Sequence, residues 1–192
     1  HGVRVPEGAA IDFPAVMARM RRLRARISPA DSVSHLKEMG VDVFLGEGRF
    51  TGPDAVEVGG KLLRFARAVI ASGARPVVPP IPGLKEAGFL TNETLFELTA
   101  LPKRFAIFGG GPIGCEMSQT FQRLGSQVTL VDLAPHVLIR EDADAAEIVQ
   151  RKLVQEGVRL LLNAKAIRAE RRDGAKAHSR ESEAVVLNIE RE

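Results

Sequence analysis

The sequence predicts an α/β protein in which a parallel βαβ unit follows a small antiparallel β-meander. Three observations lead there. The first is Phe105-Ala-Ile-Phe108, an apolar run long enough for a buried strand, which leads into Gly109-Gly-Gly-Pro-Ile-Gly114. The second is the stretch that follows. Ile113, Met117, Phe121 and Leu124 recur at helical spacing and form one apolar face up to Gly125, and Gln127 to Val131 then reads as a second strand with Asp132 at its carboxyl end. The third is Gly59-Gly60, set between the short apolar runs Ala55 to Val58 and Lys61 to Phe65, a strong hairpin signal.

Asp12 is placed to cap a helix running to about Ile27, with Phe13, Val16, Met20, Leu23 and Ile27 on one face. Arg19, Arg21, Arg22, Arg24 and Arg26 crowd the rest, and with no aromatic between them they read as a solvated face rather than a nucleic-acid platform. Ser28-Pro29 interrupts this helix, and a second runs from about Ala30 to Met39. Val41 to Leu45 reads as a strand closed by Gly46-Glu-Gly48, and Ala68 to Ala71 reads as another after the hairpin. Ser72-Gly-Ala-Arg-Pro76 breaks the regular structure, and Pro79, Pro80 and Pro82 make Val77 to Leu84 an extended linker. Thr91 caps a short helix to Leu98. Beyond Asp132, Asp142 caps a helix with Ala146, Val149 and Leu153 inward, ended by Gly157. Val158, Leu160 and Leu162 alternate in a third strand. Ala164 to Arg171 and Ala184 to Ile189 give two more, joined by a polar turn over Arg172 to Glu183.

The glycines fall at the spacing G-x-G-x-x-G between a strand and a helix, with an acid closing the next strand, which is the dinucleotide fingerprint of a Rossmann-like unit. Gly109 permits the tight turn, Gly111 lets a pyrophosphate approach the backbone, and Gly114 lets the helix pack close to the strand. The helix N-terminus, opened by Pro112, offers free N–H groups and a positive dipole end. The candidate nucleotide-binding residues are therefore Gly109, Gly110, Gly111, Pro112, Ile113, Gly114 and Asp132. Asp132 would bond a free ribose 2′-hydroxyl and repel a 2′-phosphate. Leu133 and Ala134 supply no arginine for such a phosphate, and His136 and Arg140 lie further along, so NADH is expected rather than NADPH.

The 192 residues allow one large domain or two small ones, and 45% hydrophobic content supports a core. There is no apolar run of about eighteen residues for a transmembrane helix and no signal-peptide pattern at the start. The single cysteine cannot form an internal disulfide, which fits a reducing cytoplasm. No Cys/His cluster has metal-ligand spacing, and a net charge of only +3 makes no case for nucleic acid. Cys115 has no second cysteine to pair with and reads as small packing filler inside the glycine turn and helix.

Two stretches together, Val69-Ile-Ala-Ser-Gly-Ala-Arg-Pro76 with Pro80-Ile-Pro-Gly-Leu84, and Gly109-Gly-Gly-Pro-Ile-Gly-Cys-Glu116, resemble the flavin-dependent pyridine nucleotide–disulfide oxidoreductases, in particular the mercuric reductase and lipoamide dehydrogenase branches. The resemblance implies that residues 1–101 are the later part of an FAD-binding domain and residues 102–192 an NAD(P)H-binding domain. It implies that Ala71, Ser72 and Gly73, matching the family's Ala-Thr-Gly with a serine in place of the threonine, lie against the flavin cofactor's ribose and pyrophosphate. By the same resemblance Glu47 and Gly48 meet the adenine, and Glu116 is a catalytic carboxylate between flavin and nicotinamide that pairs with a lysine. The family's first FAD glycine fingerprint, its Cys-x-x-x-x-Cys pair, its later FAD motif and its dimerisation domain have no counterpart in this sequence.

The resulting expectation is the central part of a flavoprotein oxidoreductase that moves hydride from NADH to FAD and on to a disulfide or another acceptor. The intact enzyme is expected to be a cytoplasmic homodimer, with no nucleic-acid or membrane partner, and this chain alone is expected to be inactive. Two other readings stand beside it: an FAD-dependent NADH oxidase without a redox disulfide, and a nucleotide-binding module with no turnover.

Overall fold

A computed structural model describes residues 9–172 and 184–191. The chain divides into two compact units, one formed by residues 18–76 and the other by residues 77–192 with the first seventeen. No helix among the described residues is long and apolar enough to cross a membrane.

Helix α1 (Phe13–Ile27) starts where expected, because Asp12 accepts the Ala15 N–H at 2.9 Å. Its buried residues are Phe13 and Met17, which belong to the larger unit, while Val16, Leu23 and Ile27 stay exposed. The apolar stripe read from sequence is therefore buried only at its first turns. Pro29 does not leave a gap; it sits in a 3₁₀ turn, Ser28–Asp31, and Ser32 then caps α2 (Val33–Glu38) through the His35 N–H.

The smaller unit contains a three-stranded antiparallel sheet in the order β1 (Gly48–Gly52), β2 (Ala55–Val58), β3 (Lys61–Arg64). The β2–β3 hairpin turns on Gly59 and Gly60, both with positive φ, as the glycine pair demands. Two expected strands are corrected. Val41 to Leu45 is not a strand, because the edge of β2 is taken instead by Gly48–Gly52, brought back by a turn at Pro53-Asp54 that pairs Gly52 with Ala55. Asp54 secures that turn by accepting from Arg64 at 2.7 Å. Ala68 to Ala71 has no pairing partner among the described residues. It has no regular structure and is exposed, with Val69 at 91% and Ile70 at 75% accessibility.

The larger unit is built on a parallel sheet, β4 (Arg104–Phe108), β5 (Gln127–Val131) and β6 (Arg159–Leu161), with β5 central. A central parallel strand buries both faces, and Val128, Leu130 and Val131 are all buried. Helix α4 (Pro112–Leu124) joins β4 to β5 and ends on Gly125 in a left-handed cap. The face it buries is Cys115, Ser118 and Phe121, whereas Ile113 is 60% exposed. Phe121 turns inward as expected, with Phe105 and Phe13 against it at 4.7 Å and 6.1 Å between ring centres, but Cys115 and Ser118 rather than Ile113 complete the buried side. Helix α5 (Ala143–Gln155) buries Ala146 and Leu153 as read from sequence and ends before Gly157, which has φ +91°. The far ends of the two helices are tied by Arg123, which holds Glu156 through two hydrogen bonds of 2.6 and 2.8 Å, with Lys152 adding a third contact at 3.1 Å. The Arg123 bonds foremost, then Lys152, hold the Glu156 carboxyl down at about 2.

Strands β7 (Ala164–Arg172) and β8 (Ala184–Arg191) pair antiparallel in a separate two-stranded sheet; of the polar turn expected over Arg172 to Glu183, Arg172 instead ends β7, and residues 173–183 lie outside the described residues. The proline-rich linker docks on this sheet. The Ala169 N–H donates to the Pro82 carbonyl at 2.9 Å, and a Cβ on Gly83 would lie 2.1 Å from the Ala169 oxygen. Gly83 is therefore required by close backbone approach as well as by its φ of +76°. Past it, the unexpected one-turn helix α3 (Leu84–Ala87) buries Leu84 and Ala87 against Ala169. The helix expected from Thr91 is a turn followed by a 3₁₀ segment, Leu95–Glu97, although the Thr91 hydroxyl does take the Glu93 N–H.

Candidate nucleotide-binding site

The glycine turn lies between β4 and α4, and each glycine has a separate physical reason. Gly109 has φ +99°, a conformation that L side chains rarely adopt. A Cβ on Gly114 would sit 1.9 Å from the Gly109 oxygen, so the helix can approach the turn only because that atom is missing. Gly111 caps α4, and a Cβ there would meet nothing within 4 Å. Space is thus left open above the second glycine of the fingerprint, where a phosphate would need it. Cys115 is the first residue whose N–H finds a helical acceptor, the Gly111 carbonyl at 3.0 Å. Helix geometry leaves the N–H groups of Ile113 and Gly114 ahead of it free to meet an anion.

Gly110 is buried and tightly bonded. Its N–H donates to Asp132 Oδ2, and its carbonyl accepts from the Leu138 N–H at 2.7 Å and from the Cys115 thiol at 3.4 Å. Asp132 stands at the end of β5, as predicted, and its other oxygen, Oδ1, accepts from the Ala134 N–H at 2.7 Å. Val137, fully buried, packs on Gly110, and its N–H is held by Gln150 Oε1 from α5 at 3.1 Å. Sequence reasoning missed the segment 133–138 as part of this site. Its one legible signal was the apolar pair Val137-Leu138 after Pro135 in a stretch read as a loop. Cys115 is buried, as expected of packing filler, and burial foremost, with Asp132 and Glu116 adding, pushes its thiol up to about 11. The thiol therefore stays protonated and donates to Gly110 rather than acting as a nucleophile. Glu116 is exposed in the first turns of α4.

The remaining candidates lie in the smaller unit. Gly48 opens β1 opposite Val58, with Glu47 exposed just before it. Ala71, Ser72 and Gly73 lie in the exposed stretch without regular structure; Gly73 has φ +70°, with nothing within 4 Å of the position of a Cβ. These residues offer accessible backbone groups but do not themselves enclose a ligand.

A family model for pyridine nucleotide-disulphide oxidoreductases matches residues 14–190, nearly the whole chain. The chain belongs to this family. Among its relatives, mercuric reductase of Lysinibacillus sphaericus is 33% identical over 160 residues, covering 83% of this chain and 29% of the relative. Dihydrolipoyl dehydrogenase of Acholeplasma laidlawii is 36% identical over 133 residues, covering 67% of this chain and 40% of the relative. Among solved structures, the Cu(II) complex of the HOCl-induced flavoprotein disulfide reductase RclA from Escherichia coli superposes with a TM-score of 0.72 at 29% identity, over 92% of this chain and 41% of that one. LpdA from Mycobacterium tuberculosis gives 0.72 at 29% identity, over 94% and 40%. The chain thus spans well under half the length of these family members.

The two glycines that a Cβ would affect most differently give a direct check. Gly114→Ala should destabilise the larger unit by about 1–3 kcal/mol, since backbone must shift to admit the methyl group. Gly111→Ala should change stability by less than about 1 kcal/mol, the scale of a helix cap. Urea unfolding of the two variants measures both, and equal losses would contradict the packing assigned to Gly114.

Proposed function

We propose that this chain carries the nicotinamide dinucleotide site of an FAD-dependent oxidoreductase, with NADH as the electron donor. The observation that carries this reading is the glycine turn. Gly114 admits the helix against Gly109, and the space over Gly111 stays open at a helix N-terminus. The N–H groups of Ile113 and Gly114 would hold the pyrophosphate, and Asp132 would receive the adenosine ribose. Asp132 keeps lone pairs beyond the two backbone bonds it accepts, and an acid at this place disfavours a 2′-phosphate. Family membership supports the pyridine nucleotide and the disulfide-reductase class, and the flavoprotein likeness supports FAD.

In this reading residues 1–101 belong to an FAD-binding domain, to which Glu47, Gly48, Ala71, Ser72 and Gly73 contribute backbone contacts, and residues 102–192 to the NADH-binding domain. Bound together, the cofactors supply hydride transfer from nicotinamide to flavin and onward delivery of electrons to a disulfide or another acceptor. In this reading the chain's part is to bind the dinucleotide and orient its nicotinamide end, and Glu116 would order the charges near it. The complete protein would be a cytoplasmic homodimer. The chain alone has a single, buried, protonated cysteine to offer electrons, so it would bind NADH without turnover.

Calorimetric titration of the purified chain with each nucleotide tests the donor. NADH should bind more tightly than NADPH by about tenfold or more, the value of a hydrogen bond to a charged group; tighter NADPH binding would refute the reading. For Glu116, stopped-flow reduction of the flavin in the intact enzyme at saturating NADH is the measure. Glu116→Ala should slow reduction by about tenfold or more while changing NADH affinity little, as expected for loss of positioning near the reacting atoms. An unchanged rate would leave Glu116 only its favourable place near a helix N-terminus.

A further inference from the structure

In a site of this kind the acid after the second strand is the residue that reads the ribose. Here its side chain is also bound into the protein. Asp132 Oδ2 takes the N–H of buried Gly110, and Oδ1 takes the N–H of Ala134 at 2.7 Å. Its backbone is held on both sides as well, by Leu161 through a 2.9 Å bond and by Ala164 through a 3.0 Å bond. The two residues its carboxylate grips are the middle of the glycine turn and the start of the segment 133–138 that returns over it. That segment closes on the same glycine: Leu138 donates to the Gly110 carbonyl at 2.7 Å, and Val137 packs on it. Leu138 is kept at φ +55°, a conformation a leucine holds only where its surroundings dictate it.

We propose that Asp132 is a positioning residue for the glycine turn, so that removing its charge weakens both NADH and NADPH instead of exchanging one preference for the other. The inference rests on the dinucleotide reading of the turn. One charge-assisted bond from this carboxylate fixes where Gly110 sits, and with it the direction of the N–H groups that follow, while the second ties the same carboxylate to Ala134. Asparagine cannot replace this pattern. It has one acceptor oxygen and one NH₂, so in either orientation the NH₂ faces a backbone N–H and one donor in a half-buried site loses its partner. The turn is then preformed in only a fraction of molecules, and the apparent affinity for anything bound on it falls by that fraction.

The experiment compares wild type with Asp132→Asn using three probes: NADH, NADPH and 2′,3′-dideoxy-NADH, whose adenosine ribose has no hydroxyl for Asp132 to bond. All three should bind more weakly to the variant: dideoxy-NADH by about tenfold, the scale of one orphaned donor, NADH by more because its ribose bond is lost as well, and NADPH by less because the repulsion of its 2′-phosphate is relieved. If Asp132 acted only on the ribose, dideoxy-NADH would bind both proteins equally and NADPH would gain; either result overturns the proposal. A second measurement needs neither a folded variant nor a nucleotide. In the unliganded wild-type protein the Gly110 and Ala134 amides should exchange slowly with deuterium and resonate downfield, as donors to a carboxylate do. Exchange of the Gly110 amide as fast as that of an exposed loop would overturn the proposal. Slow exchange at Gly110 in a wild-type chain that bound none of the probes would instead refute the dinucleotide reading while leaving the positioning intact.

Discussion

The contact between Gly114 and the Gly109 carbonyl is the constraint on which the rest of the site depends. With 1.9 Å from that oxygen to where a Cβ would lie, only glycine lets α4 start directly against the turn that leaves β4. This approach brings the helix N-terminus to the carboxyl end of the parallel sheet, beside the end of β5. It also brings Gly110 within reach of Asp132 and Cys115 within reach of the Gly110 carbonyl. A helix held a few ångströms further out could still bury Phe121 against Phe105, but its N–H groups would no longer share one locus with the acid.

Around that contact the chain uses three kinds of support. The parallel sheet supplies apolar burial through Val128, Leu130 and Val131. The segment 133–138 supplies hydrogen bonds, anchored by Asp132 at one end and by Gln150 near the other. At the opposite ends of the helices, the Arg123–Glu156–Lys152 group fixes the spacing of α4 and α5. The linker adds a fourth contact of a different type, backbone to backbone, where Gly83 lies against β7. The linker's prolines made it read as a mere connection. Its docking depends on the missing side chain of one glycine, which sequence periodicity does not register.

The βαβ unit was legible because its signals are local: glycines at fixed spacing, a helix ending on Gly125 and an acid closing a strand. The Gly59-Gly60 hairpin was legible for the same reason. What failed was non-local. Val41 to Leu45 and Ala68 to Ala71 have strand-like composition, but a strand is defined by a partner, and the edge of β2 went to Gly48–Gly52. The buried face of α4 was misjudged at Ile113, which stands exposed in the helix's first turn, while Phe121 is buried as read and Cys115 and Ser118 join it. Asp132 was recognised as a ligand-binding acid, yet its grip on Gly110 and Ala134 depends on a loop whose course no spacing rule gives. Residues from the smaller unit were assigned through family likeness, since turns such as Glu47-Gly48 and Ser72-Gly73 carry no chemistry that distinguishes them by themselves.

The central claim, that the glycine turn is a preformed dinucleotide site, is tested most directly by titrating NADH into the isotope-labelled chain and following backbone amide resonances residue by residue. The account predicts that the largest shifts fall on Gly111, Ile113 and Gly114, with Asp132 and Ala134 next and the meander of residues 48–64 little affected. Saturable shifts centred elsewhere, or none at Gly111 to Gly114 at millimolar NADH, would contradict it.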